Sequence, residues 1–300
     1  MKLRILEVTV AQARVCGTCY CEAQYRVSIQ PLELCMNPEL TTCATCGVEH
    51  DQPLPDVCAI CDDERQYLPA DGKQKWTTLG ELSEDRTFEI WEIEPKLHGM
   101  LVSPHVGIGH RPLLVQTDEG NLLWDPPAFI DKDSIAKVRE LGGIRWIAPS
   151  HPHMFGVQLE WSAAFDDASV LISERDKEWL ARTGPAVQFW DDELQLAENL
   201  KLIRVGGHFA GMAVVHWNGA DDAGVLLSAD AIVPVPDHGW ATFLRSYPNQ
   251  IPLSPLGVQR IVDRIRDLKF ERLYGNFLER VGHPAPARWW NDPRRGTSPG

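Results

Sequence analysis

Eight residues of this 300-residue chain fall into two sets whose types and spacing suit metal chemistry. Cys43-x-x-Cys46 and Cys58-x-x-Cys61 stand eleven residues apart, and each pair can present two sulfurs from one tight turn. Four thiolates at about 2.3 Å close the shell of a tetrahedral ion, so such a site holds structure and leaves no position open for a reactant. Zn²⁺ is the favoured ion, with iron as the alternative that the same sulfur set accepts. The second set is His151 and His153, in His151-Pro152-His153, then His208 and Asp230. Neutral imidazoles and a carboxylate are the ligands of catalytic Zn²⁺ or Fe²⁺. A single Zn²⁺ with an open position lowers the pKa of a water there to about 7, which permits hydrolysis at neutral pH.

The elements that must position these side chains can be read from periodicity and breakers. Leu113–Thr117 and Asn121–Asp125 flank Asp118-Glu119-Gly120 and read as a hairpin. Asp131–Gly143 reads as a helix with acidic residues at its start, Ile135, Val138 and Leu141 on one face, and glycines at its end. Residues 144–150 (IRWIAPS) form a buried strand running into His151, and 168–173 (ASVLIS) form another, with a short helix predicted over 173–182. Three further apolar runs come later, LKLIRVGG, MAVVHWNG and VLLSADAIVPV. His208 and Asp230 sit where the first and third of these meet loops. Residues 255–268 read as a helix with Ser254 as cap and Pro255 at its first position, and 271–275 as the final strand. A His-x-His pair at a strand end can turn both rings toward one point, because the backbone leaves strand geometry there.

The stretch CATCGVEHDQPLPDVCAIC resembles the zinc-ribbon and rubredoxin-like modules appended to larger enzymes. The order His-x-His, then Gly206-Gly207-His208-x-x-Gly211, then a strand ending in Asp230 resembles the metallo-β-lactamase superfamily over residues 75–280. That resemblance implies an α/β fold, a four-layer αββα sandwich with the metal at one edge of two sheets. It also implies that Asp125 is a buried aspartate supporting the metal-site loop. Two departures matter. The family's His-x-His-x-Asp-His reads here His151-Pro152-His153-Met154-Phe155-Gly156, so the aspartate and third histidine that serve a second metal are absent. The late histidine is replaced by Asn276, with His283 as an alternative. What remains is a mononuclear set of His151, His153, His208 and Asp230, the last two also being the candidate catalytic groups.

The function implied is a metal-dependent hydrolase acting on an ester, thioester or lactone of a small molecule. A catalytically decayed metal-binding scaffold of the same fold is the competing expectation, and electron delivery from rubredoxin-like iron is a third. With 29 Lys+Arg against 42 Asp+Glu the net charge is −13, which argues against a nucleic-acid partner. No run approaches the ~20 apolar residues of a membrane span. The opening MKLRILEVTVAQARVC has Lys2 and Arg4 before a short apolar stretch, but Glu7 breaks it, and an export signal needs roughly 7 to 15 clean apolar residues. The expected location is cytoplasmic.

The expected organisation is a Cys-containing extension over 1–40, the four-cysteine module over 41–70, the main domain over 71–285 and a tail over 286–300. The module is a candidate contact surface for a protein partner. Cys16, Cys19, Cys21 and Cys35 contain one further knuckle without a matching second, and read as another metal site, a redox-reactive segment or free thiols. His216 is expected to pack within a strand, while His105 and His110 bracket Gly107-Ile108-Gly109, whose glycines allow a hairpin. His238 reads as a loop residue, and Trp240 and Phe243 are candidates to line a substrate cavity.

Overall fold

A computed structural model of the protein describes residues 37–277, apart from 236, 238 and 239, together with the strand His283–Pro284. Cys16, Cys19, Cys21, Cys35, His238, the side chain of His283 and the 286–300 tail lie outside the described residues. A small antiparallel sheet comes first, with strands β1 (Thr41–Cys43), β2 (Glu49–His50) and β3 (Trp76–Thr78) in the order β2-β1-β3. Between β2 and β3 lies the short helix α1 (Ala59–Asp62), and α2 (Leu79–Leu82) comes after β3. Since β1 lies in the four-cysteine segment and β3 beyond residue 70, this sheet joins that segment to the main body of the chain, and the described residues belong to one compact unit.

Seven strands make the next sheet: β4 (Thr87–Glu94), β5 (Leu97–Ser103), β6 (Leu113–Val115), β7 (Leu122–Trp124), β8 (Trp146–Ala148), β9 (Ser169–Ser173) and β10 (Val187–Trp190), ordered from β10 to β4. From β4 to β7 the pairing is antiparallel, and from β7 to β10 it is parallel. Side chains alternate across each strand, so a run of apolar residues feeds two cores at once. Leu113, Val115, Leu122, Trp124, Trp146, Ala148 and Leu171 face the second sheet. Leu114, Leu123, Ile147, Val170 and Ile172 face the other way, onto helices α3 (Lys132–Glu140) and α4 (Gln158–Ala164) and the four-cysteine segment.

The second sheet contains β11 (Glu193–Ala197), β12 (Leu200–Arg204), β13 (Ala213–Trp217) and β14 (Val225–Leu227), all antiparallel. Two small hairpins interrupt it, β15 (Val233–Pro234) with β16 (Ala241–Thr242) and β17 (Leu244–Ser246) with β18 (Ile251–Pro252). Helix α5 (Pro255–Ile265) then packs Ile261 and Ile265 on its outer face before β19 (Arg272–Tyr274) returns parallel to β14. The layers are therefore helix, sheet, sheet, helix, which is the αββα sandwich. Capping explains the helix starts: Asp131 accepts from Ser134 N at 2.7 Å, and Ser254 from Gly257 N at 3.2 Å.

Two expected elements differ. Residues 173–182 give a six-residue 3₁₀-helix, Glu174–Trp179, because acidic and basic residues dominate the run and leave too little apolar face to hold an α-helix. The strand at 271–275 is not the last, since β20 (His283–Pro284) pairs with it antiparallel. The long β4–β5 hairpin carries Glu89, Glu92 and Glu94 on its first strand, and its turn at Lys96 has φ +69° without a glycine to announce it.

The four-cysteine segment is tied to the sandwich by backbone proximity. Gly107, at φ +58°, lies so close to Cys46 that a Cβ there would stand 2.6 Å from the Cys46 carbonyl oxygen. The glycines that suggested a hairpin serve this approach and a turn instead. Buried Glu49 accepts from Leu159 N (2.9 Å) and pairs with Arg182 (2.6 Å), which also pairs with Glu160 (2.9 Å). Gly107→Ala is expected to lower the unfolding free energy by roughly 1–3 kcal/mol, read from the urea midpoint, through contact with Cys46 and strain at positive φ.

Candidate metal centre

The sandwich edge gathers loops from both sheets. β8 ends at Ala148, and Ser150 and His151 come next, before a 3₁₀ turn over Pro152–Met154 that places His153 beside His151. The loop from β12 to β13 brings His208, and the loop after β14 brings Asp230. Ala229, immediately before Asp230, sits at φ +45°, a strained conformation for a residue with a side chain. All four side chains are buried, and one potential ligand atom of each lies within 4.8 Å of the others.

Two of the three imidazoles are held by an outer contact. His151 Nδ1 is hydrogen-bonded to Ser150 Oγ (2.8 Å), and His208 Nδ1 donates to the Leu244 carbonyl (3.1 Å). With the Nδ1 atoms so used, the Nε2 lone pairs of His151 and His208 turn inward. His208 Nε2 stands 3.4 Å from His153 Nδ1, and Asp230 Oδ2 stands 3.6 Å from His151 Nε2 and 3.8 Å from His208 Nε2. Ligands about 2.0–2.1 Å from a tetrahedral ion are separated by about 3.4 Å, and the separations here are close to that. His151 Nε2 is buried with no hydrogen-bond partner among the described residues, an arrangement that is costly unless something occupies the centre. Burial pushes His151 and His153 well below the ordinary imidazole value and His208 down to about 4, so all three are neutral and able to donate a lone pair.

Asp125 organises the rim. It stands directly after β7 at φ +55°, which aspartate tolerates, and its buried carboxylate accepts from Ser150 N (2.5 Å) and from Asn276 Nδ2. Burial raises Asp125 to about 7, opposed by those hydrogen bonds. His110 is also buried, and its Nε2 donates to the Asp125 (3.0 Å) and Pro126 (3.3 Å) carbonyls. The positions where the resemblance places a second metal's aspartate and histidine are filled differently. Phe155 is packed into the helix-side core, and Gly156, at φ +51°, has the Pro126 carbonyl oxygen 2.5 Å from where a Cβ would be. Asn276 is engaged by Asp125. His216 meets the Lys269 carbonyl (2.8 Å) from β13, away from the cluster. Trp240 is exposed and Phe243 packs partly against the inter-sheet core.

The four cysteines form a second buried group. Cys43 and Cys61 sulfurs are 3.6 Å apart, and Cys46 and Cys58 sulfurs 3.8 Å. A tetrahedron with 2.3 Å bonds has edges of about 3.8 Å, so these sulfurs are already spaced for a thiolate-bound ion. Gln74 donates to Cys43 Sγ (3.2 Å) and accepts from Cys58 N (3.0 Å), stitching the knuckles together. Hydrogen bonds from Cys46 and Cys61 push the Cys43 thiol down, opposed by Cys58 and by burial.

Several residues at the centre were not assigned to it from the sequence. Ser150, Leu244, His110 and Phe209 act through contacts that only folding creates. Ser150 alone could have been suspected, as a hydroxyl next to the first histidine.

The fold is a metallo-β-lactamase-type sandwich. In fold it is similar to VMB-1 (TM-score 0.50, 12% identity, covering 66% of this chain and 91% of that one) and to the DIM-1 metallo-β-lactamase (TM-score 0.48, 12% identity, 64% and 91%). No protein-family model matches the chain. It is 42% identical over 245 residues to the uncharacterized protein YmaE of Bacillus subtilis (strain 168), covering 80% of this chain and 89% of that protein, and it belongs to the same family. Among the described residues no helix is long and apolar enough to cross a membrane.

Gly156→His would bring back the residue type of the superfamily motif at this position. It is expected to lower the thermal midpoint without raising the metal content per chain, because its Cβ meets backbone oxygens; melting curves and elemental analysis on the same preparation check both.

Proposed function

We propose that the protein is a metal-dependent hydrolase of a small ester, thioester or lactone, working with one divalent ion, Zn²⁺ as the preferred identity, held by His151, His153 and His208 with Asp230 as fourth ligand. The observation that carries the reading is the convergence of three neutral, buried imidazoles and a carboxylate on one point, with His151 Nε2 otherwise unpartnered. A metal bound there supplies Lewis-acid activation of water and of a substrate carbonyl. The chain's own residues supply the rest. Ser150 and Leu244 fix the ring orientations, Phe209 and the buried loops exclude bulk water, and the Asp230 carboxylate stands where it can complete the ligand set or take a proton from water. The four cysteines hold a second, structural Zn²⁺, with iron the alternative.

Closure of the second-metal position by Phe155 and Gly156 favours a competing reading, a scaffold that binds metal without turnover. Elemental analysis and hydrolysis of a panel of aryl esters, thioesters and lactones separate the two. The expected result is about two metals per chain, hydrolysis lost on chelation and regained with Zn²⁺, and about one metal with no hydrolysis in His208→Ala. Two metals without hydrolysis of any panel member would support the scaffold.

A further inference from the structure

The segment directly after the second cysteine pair runs to the back of the histidine cluster. Four residues beyond Cys61, Arg65 is buried, and Asp63 grips its guanidinium with both oxygens (Nε–Oδ1 2.5 Å, Nη2–Oδ2 2.8 Å). The two-pronged grip fixes the plane of the guanidinium. That plane lies over Phe209, 3.8 Å from its ring centroid, with Trp179 at 5.0 Å, and Nη1 donates to the His208 carbonyl (3.3 Å). Phe209 in turn touches all three imidazoles, with ring centroids at 5.5 Å from His151, 4.9 Å from His153 and 5.3 Å from His208.

The same segment also reaches the strand that orients His208. Ser246 Oγ donates to the Arg65 carbonyl (3.2 Å), Arg245 pairs with Glu64, and Asn249 Nδ2 donates to the Glu64 and Gln66 carbonyls (3.0 and 3.1 Å). Leu244, the acceptor for His208 Nδ1–H, is the residue before Arg245. Residues 63–66 are thus fastened to both supports of His208, the backbone of its own loop and the strand that takes its ring proton, and their other end is the turn that presents Cys58 and Cys61.

We infer that Arg65 is a positioning residue for His208, and that the four-cysteine site, by holding the turn from which Arg65 extends, sets the metal affinity of the histidine site. The inference rests on the two metal sites proposed above. Its physical basis is that a ligand's outer contacts fix its orientation, and losing them commonly costs roughly 10- to 100-fold in metal affinity. Arg65 supplies such a contact from 143 residues away in sequence.

Cobalt(II) titration of the full chain tests this, because thiolate-bound cobalt gives intense ligand-to-metal charge-transfer absorption and histidine-bound cobalt gives weaker visible bands, so the two sites are read separately. Arg65→Met keeps the buried stem and removes the donors. It is expected to weaken cobalt binding at the histidine site roughly tenfold or more and to alter its visible bands, while the thiolate band keeps its wild-type intensity. Cys58→Ser/Cys61→Ser is expected to lose the thiolate band and to weaken the histidine site as well. If Arg65→Met lowers the thermal midpoint yet leaves the histidine-site affinity and spectrum as in wild type, Arg65 is only a packing residue and the proposal is overturned. Wild-type protein lacking the histidine-site bands would overturn it together with the metal-site reading, which distinguishes the two failures.

Discussion

The buried carboxylate of Asp125 is the contact on which the edge of the sandwich depends. It stands at the end of β7 and accepts from Ser150, at the end of the neighbouring strand, and from Asn276, beyond β19 of the other sheet. One side chain thus ties the rims of both sheets at the level of the histidines. A carboxylate removed from water is costly unless its oxygens are satisfied, so both partners must be in place for it to be tolerated. Ser150 then extends the same network, its backbone carbonyl accepting from Ala213 N (2.9 Å) at the start of β13 and its hydroxyl meeting His151.

Burial sets the electrostatic character of the centre. The three imidazoles lie in a buried site beside one carboxylate, and burial holds them neutral. A protein of net charge −13 thereby carries, at one edge, lone pairs in place of cations. At residue 156 the absence of a side chain has a steric basis: the backbone of Pro126 and Pro127 leaves no volume for one.

The four-cysteine segment is woven into this architecture. β1 pairs with β3, Gly47 meets Gly107, Glu49 reaches α4, and Arg65 reaches Phe209. Small cysteine sites commonly stand in for a hydrophobic core in segments too short to build one. Here the same device also supplies part of the helix-side core, where Cys43, Cys46, Cys58 and Cys61 pack with Val48, Ile60 and Phe129.

Local chemistry made much of the site legible in the amino-acid order. Two Cys-x-x-Cys pairs can converge from their own turns, His151 and His153 are neighbours in any fold, and apolar runs between glycines mark the strands that end at His151, His208 and Asp230. The same alternation, once paired, gives the two cores and hence the layers. What the linear order could not express are contacts between distant positions. The order of residues does not tell that Arg65 lies over Phe209, or that the Pro126 carbonyl closes on residue 156, where the resemblance leads one to expect a histidine. His110 looks like a loop residue until the Asp125 backbone closes on it. Residue type and spacing determine which atoms are available to bind a metal; the tertiary structure decides how they are oriented, because orientation is set by hydrogen bonds and packing from elements dozens to more than a hundred residues away.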